Sequence, residues 1–501
     1  MKRYTTNRRS FIRNTAAAAA GFVLMPGFGL VPNRVSQPMT RSFGRLNFDV
    51  TTMGLGGQAS LQWTPGDVDP VKIILKAFGK GVNYFDTSNV YGPSQMNYSK
   101  AFRELSLDPA RAGYNEALRR SIFLTTKTHL RVAKGDPNIQ GVRNSTNGPA
   151  GSRTIDDLKR SLSQLFGDNQ GNYPKGSYVD MVLIHSLSTM EEVDAIYEGL
   201  YDTNPKAERI GALAALRDYR DGTNLTGLNP KEEKLLRHIG FSGHFSPPVM
   251  MEMIRRDQTN LIDGLLVSIN ANDKLNFNMQ HNVIPVAMAK NMGVIGMKVF
   301  ADGAMYTKEA HWTRGPEEVV RTIGSKSLPS RELIEYTLTT PGVHTLIIGT
   351  GQISDDPVSC QLEQNLSASQ VELSGMSQTD RAEVEKKAAA VKEGKTNYFQ
   401  TAGKGLVAPS GIRAKQNRAG DERHIEVSWN TAFAGNAALK SYEIWRDNRL
   451  IQTVHHKPQI STEPFTCADE LTDTSSHEYF VIATDMEGNS AKSVAVRVEA
   501  V

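Results

Sequence analysis

The sequence predicts an α/β chain, a (β/α)8 TIM barrel followed by a small all-β sandwich. Three observations predict it. From about residue 48, short runs rich in Val, Ile, Leu and Phe alternate with longer segments of helical periodicity. There are eight such runs, apolar enough throughout to be buried on both faces, as parallel strands are. After about residue 370 the pattern changes to period two with turn residues between the segments, the mark of an antiparallel sandwich.

The barrel runs are VTTMGLGG (50–57), VNYFDT (82–87), IFLTTKT (122–128) and VDMVLIHS (179–186). HIGFSGH (238–244), GLLVSIN (264–270), GVIGMKVF (293–300) and VHTLIIGT (343–350) follow. Among the helices between them, TIDDLKRSLSQLF (154–166) offers Thr154 as a cap with Asp157 closing a capping box. SPPVMMEMIRRD (246–257) offers Ser246 as N-cap and Pro247 at the first helical position. An open, doubly wound sheet is the alternative, but MGLGG after the first strand is not G-x-G-x-x-G. RSFGRLNFDV, just before the first unit, reads as a hairpin plugging the barrel floor. Two insertions, 131–153 and 217–234, are expected at strand ends that build an active site. The barrel spans 41–370, a surface helix and linker 371–405, and the sandwich 406–501.

Residues 1–38 form an export signal: a basic start, then a modest apolar run rich in Ala and Gly. Arg8-Arg9 followed by Ser10 and Phe11 resembles a twin-arginine signal, which carries folded proteins to the periplasm. The run is too short for a permanent membrane span. The first 40 residues hold Lys2, Arg3, Arg8, Arg9, Arg13 and Arg34 and no acid, so without them the net charge falls from +4 to about −2. That balance gives no global case for binding nucleic acid or anionic membranes. Cys360 and Cys467 are the only cysteines; one disulfide between them is compatible with export but not required. No spacing matches a metal site.

Four polar residues sit at or near the ends of three successive strands. Asp86 ends the second run, Tyr91 lies one short loop beyond it, Lys127 is in the third and His185 in the fourth. In a parallel barrel these ends converge on one face. A phenol has an ordinary pKa of about 10. A neighbouring ammonium favours the phenolate, and a carboxylate fixes the ammonium in place. An imidazole opposite can orient a carbonyl. The set can give a proton to a carbonyl oxygen while a hydride reaches the carbon. His129, His238 and His281 lack partner spacing and read as surface or packing residues.

GVNYFDTSNVYG, FLTTKT and YVDMVLIHS together resemble the aldo-keto reductases over roughly residues 43–370. The resemblance implies a tetrad of Asp86, Tyr91, Lys127 and His185, with Tyr91 as general acid/base, Lys127 and Asp86 tuning it, and His185 orienting substrate. It implies an extended nicotinamide dinucleotide, NAD or NADP, over the barrel top. Gly56 and Gly57 would allow close backbone approach. Ser242, His244, Asn270 and Lys298 would lie near the nicotinamide, and Gly349, Thr350, Gly351, Gln361, Gln364 and Asn365 near the adenosine. The chain departs from the family in places. His244 stands where many members have Asn, Lys298 where many have a stacking aromatic, and Gln95 where Glu is common. Between Gly349 and Asn365 there is no basic residue, whereas Asp355, Asp356 and Glu363 are present. Those charges favour NAD over its phosphorylated form. Residues 406–501 resemble a fibronectin type III domain, with Pro409 before the first strand and Trp429 and Tyr479 as core residues.

The expected function is an exported oxidoreductase interconverting a carbonyl and an alcohol on an aldehyde, ketone or sugar. Because free dinucleotide is mainly cytosolic, an exported enzyme is expected to keep its cofactor bound. The sandwich either holds the enzyme near a glycan or protein partner or covers the barrel. The rival reading is a non-catalytic protein that binds a dinucleotide or glycan.

Overall fold

The computed structural model describes residues 38–129, 154–207, 209–419 and 422–501. Residues 1–37 of the expected export signal and the insertion 131–153 therefore lie outside the described residues. Pro38–Val501 forms one compact unit.

Eight parallel strands close into a barrel. A hairpin of β1 (Thr40–Ser42) and β2 (Asp49–Thr51) precedes it. The barrel strands are β3 (Met53–Leu55), β4 (Tyr84–Asp86), β5 (Phe123–His129) and β6 (Val179–Leu187). They continue with β7 (Leu236–Gly243), β8 (Ile262–Ser268), β9 (Gly293–Met297) and β10 (Thr345–Ile348), which pairs back onto β3. Each predicted run supplies one strand. The first is divided, because Val50 and Thr51 belong to the hairpin.

Period-two alternation explains why these strands are apolar throughout. On β6, Met181 and Leu183 pack inside the barrel with Tyr84, Phe123, Leu266 and Ile295. Val182 and Ile184 pack outward against the helices. Phe43 and Leu46 of the hairpin loop belong to the inner cluster and close its floor. A Cβ on Gly293 would lie 2.7 Å from both side chains, so only glycine admits this plug.

The helix Thr154–Phe166 has the predicted bounds, with Thr154 as its first residue; the Thr154 hydroxyl makes no hydrogen bond, so it does not share a capping box with Asp157. Its carboxylate instead accepts from His129 N and Thr128 Oγ1 of β5 and from Asn89 Nδ2. Ser246 does occupy the N-cap of Pro247–Arg255, but its hydroxyl makes no capping bond. Residues 217–234 are not at the site. They finish the helix Ala212–Asp221 and lead into the N-terminal end of β7, away from the strand ends that carry the tetrad. The turn closes on itself around Asp218, which accepts from Thr223 Oγ1, Thr226 Oγ1 and the Leu225 and Thr226 amides.

The C-terminal strands are β11 (Ser410–Ala419), β12 (Glu422–Asn430), β13 (Leu439–Arg446) and β14 (Arg449–His455). β15 (Phe465–Leu471), β16 (His477–Asp485), β17 (Ser490–Lys492) and β18 (Val496–Val498) complete them. A three-stranded and a five-stranded antiparallel sheet share one core. Trp429 and Tyr479 are both fully buried in it, as core residues rather than ligand contacts. Cys360 and Cys467 are buried free thiols, so no disulfide joins them.

Segment 371–405 is more than a surface helix and linker. The helix Gln378–Ala390 carries the capping box of Ser377 and Asp380. Beyond it, Thr401 donates from both N and Oγ1 to Phe245 O after β7, and its own carbonyl accepts from Phe277 N. Phe399 is fully buried. The chain is strapped across the barrel end that bears the tetrad, where Tyr398 and Phe399 pack on Trp312 and His244 and the Tyr398 hydroxyl donates to Asp302.

Candidate active site

The C-terminal ends of β4, β5 and β6 bring three predicted residues together. Asp86 and Lys127 are 1 % exposed each, and Lys127 Nζ lies 2.7 and 2.6 Å from Asp86 Oδ1 and Oδ2. Nζ also donates to Thr87 O at 3.0 Å, so all its contacts hold it in one position. Burial lifts Asp86 and lowers Lys127, each opposed by the other's charge.

Tyr91 is 9 % exposed and lies against this pair, with Lys127 Nζ 4.7 Å from its ring centroid. Its hydroxyl is 3.5 Å from His185 Nε2. The expectation that Lys127 lowers the phenol's pKa is reversed. Burial first, then Asp86 and Asp302, push it well above its ordinary value. The ammonium is committed to Asp86 and Thr87 and approaches the ring, so the phenol stays protonated and suited to act as an acid. His185 is held neutral by burial and by His129, Lys127, His244 and Lys298 around it.

His129 is not a surface or packing histidine. Its Nε2 is 3.0 Å from His185 Nδ1. The signal was in the sequence, since Lys127 and His129 are two apart on one strand and share a face. His238 and His281 keep their bland reading. His238 pairs with Asp263 at 3.2 Å and stacks on Phe123, and His281 lies half-buried beside the sandwich.

Next to the tetrad lies a second cluster that the sequence only partly signalled. Lys298, in a left-handed conformation (φ 62°), directs its Nζ 4.3 Å from the Trp312 ring centroid and 3.8 Å from Asp302 Oδ1. Asp302 Oδ2 accepts from Lys308, Thr313 and Tyr398. It thereby joins the loop after β9 to the strap. Burial pushes Asp302 up, but Lys298 and Lys308 hold it below the usual carboxylate range. His244 sits edge-on to Trp312 and Phe399, and burial with Lys298 and Lys127 nearby holds it down to about 3.

The predicted cofactor residues divide into two groups. Several are engaged within the protein. Ser242 Oγ accepts from Ser186 N, and the Asn270 amide bonds Lys298 O and Asn397. Gln361 bridges Gly351 and Gln352 to Val320 and Thr322, and Gln364 donates to Pro357 O. A Cβ on Gly57 would come within 2.4 Å of Asp86 O, so this glycine lets β3 approach the tetrad. Gly56 likewise lies against Gly349. Others hold buried polar atoms without a hydrogen-bond partner: His244 Nδ1, Thr350 Oγ1 and both amide atoms of Asn365. These fit an elongated ligand with polar groups at both ends of the site, since buried polar atoms require partners. Gln95, where Glu is common, donates to Thr126 and Ser161.

A cleft of about 570 Å³ opens at the opposite end, between Arg220, Arg237 and Asp263. None of the predicted site residues lines it.

The model of the Aldo/keto reductase family matches residues 52–380. No curated protein matches the chain. Among solved structures, a putative aldo-keto reductase from Pseudomonas aeruginosa is 19 % identical, with 66 % of this chain and 98 % of that one covered and a TM-score of 0.38. The holo form of an aldo-keto reductase from Bacillus halodurans is 19 % identical, covering 71 % and 98 %, at 0.41. An aldo/keto reductase from Klebsiella pneumoniae, in complex with NADP and acetate, is 14 % identical, covering 70 % and 95 %, at 0.41. With the family model spanning most of the barrel, and an Asp-Tyr-Lys-His cluster at the ends of its strands, the chain belongs to the aldo/keto reductase family.

Proposed function

We propose that the protein is an exported oxidoreductase that interconverts a carbonyl and an alcohol on an aldehyde, ketone or sugar. One observation carries this reading: Tyr91 lies between the Lys127–Asp86 pair and His185, with its hydroxyl 3.5 Å from His185 Nε2. Tyr91 gives its proton to the carbonyl oxygen, Lys127 steadies the phenolate left behind, and His185 orients the oxygen. A nicotinamide dinucleotide, when bound, supplies or accepts the hydride. Thr350 and Asn365 would hold its adenosine end, and His244 the carboxamide.

NAD is the preferred form. The exposed Asp355 and Asp356 disfavour an added phosphate. Glu363 no longer supports that preference, because Lys76 and Lys80 neutralise it at 2.9 and 2.7 Å. The leader is read as a twin-arginine signal to the periplasm, with the cofactor loaded before export. The sandwich is read as a fibronectin type III-like module that contacts a glycan or protein partner. Lys298 in place of a stacking aromatic favours the second reading, a binding protein without turnover.

Turnover separates the two. Carbonyl reduction by the exported protein is expected to fall at least about a hundredfold in Tyr91→Phe, with dinucleotide affinity retained. Mass spectrometry of ligand released on denaturation is expected to find NAD. An NADP mass would reject the preference, and equal turnover in the variant would reject the role of Tyr91.

A further inference from the structure

His129 and His185 are register partners across the β5–β6 ladder. Their rings lie 4.5 Å apart between centroids at 76°, with His129 Nε2 and His185 Nδ1 at 3.0 Å. Two imidazoles sharing a hydrogen bond keep one proton between those nitrogens. The ring that supplies it sets the tautomer of the other. Among the described residues, His129, Lys127, His244 and Lys298 act on His185 electrostatically, and this surrounding with its burial resists an imidazolium. What remains to be set is the tautomer. A bare His185 Nε2 would draw the Tyr91 proton toward itself, 3.5 Å away. A protonated Nε2 leaves that proton for the substrate and offers a second donor to the same oxygen.

We propose that His129 is a positioning residue whose Nε2–H donates to His185 Nδ1, locking His185 in the neutral Nε2–H tautomer beside Tyr91. The proposal rests on the reading of Tyr91 as the proton donor in carbonyl reduction. The local architecture supports it. Asp157 accepts from the His129 amide at 2.9 Å and from Asn89 Nδ2 at 2.8 Å, two residues before Tyr91. One carboxylate thus ties the strand end bearing His129 to the loop bearing Tyr91. His129 moves no proton to substrate; it acts through His185.

The test uses the full exported chain with isotope-labelled histidine. NMR, with His185 assigned from a His185→Asn difference spectrum, is expected to show Nε2–H and a bare Nδ1. A proton on Nδ1 would overturn the proposal without reference to activity. In turnover, His129→Gln, which keeps an N–H donor, is expected within about threefold of the native kcat. His129→Leu is expected to lose about tenfold or more in kcat, with dinucleotide affinity unchanged and His185 spread over both tautomers. Native kcat in His129→Leu would also overturn it. Absence of turnover in the native protein would count against the reductase reading, while the tautomer still decides this proposal.

Discussion

Tyr91 and His185 are tuned in opposite directions by the same burial. The phenol is pushed up, by burial and then by Asp86 and Asp302, and the imidazole is pushed down. Both are therefore neutral across the physiological range, with protons available to a carbonyl. Reduction needs the protonated phenol. Its raised pKa keeps that form present until well into alkali, and the lowered His185 stays uncharged until well into acid. The kcat for carbonyl reduction is thus expected to be flat from about pH 6 to about pH 9. A limb near the ordinary histidine value of about 6.5 in the pH–rate profile would show that His185 titrates unperturbed.

Between elements, the strands bearing the tetrad are fixed at their opposite ends by a buried ion pair. Arg119 Nη1 lies 2.8 Å from Asp180 Oδ2, with Arg119 and Asp180 1 % and 2 % exposed. The same oxygen accepts from Leu124 N, so Asp180 of β6 also anchors β5. Arg119 Nη2 donates to Tyr178 O, and its guanidinium lies over the Tyr178 ring. Arg119→Ala would leave a buried carboxylate with Arg237, at 3.3 Å and partly exposed, as its one cation among the described residues. A loss of about 3 kcal/mol in urea denaturation is expected. A loss below about 1 kcal/mol would show that Arg237 alone compensates.

For the whole molecule, the sandwich is docked on the barrel rather than tethered to it. Asn282 exchanges hydrogen bonds with both N and O of Ala434, Asn278 donates to Gly435 O, and Arg255 donates to Ser461 O. Phe277 meets Phe433 edge-on at 5.6 Å. Side-chain amides bonded to backbone fix orientation as well as contact. Scanning calorimetry is expected to give one cooperative transition for barrel and sandwich together. Two resolved transitions would show that they unfold independently.

The sequence by itself determined the eight strands, the hairpin plug, the sandwich and the convergence of Asp86, Tyr91, Lys127 and His185 at one barrel end. Strand identity follows from local apolar runs, and β/α order then carries Asp86, Lys127 and His185 to one end whatever the loops do. It also placed Trp429 and Tyr479 in a core. Only the tertiary structure decided matters that depend on which distant segments meet. Residues 217–234 lie at the far end because they precede β7 rather than follow β6. Segment 395–403 is a strap because Tyr398 and Phe399 meet Trp312 and His244, far from them in sequence. Glu363 is neutralised by Lys76 and Lys80, almost three hundred residues earlier, which no local count of charge could register. The pKa of Tyr91 turned upward for the same reason. Sequence places an ammonium near a phenol, but packing decides how much water is excluded and where the ammonium's hydrogen bonds go.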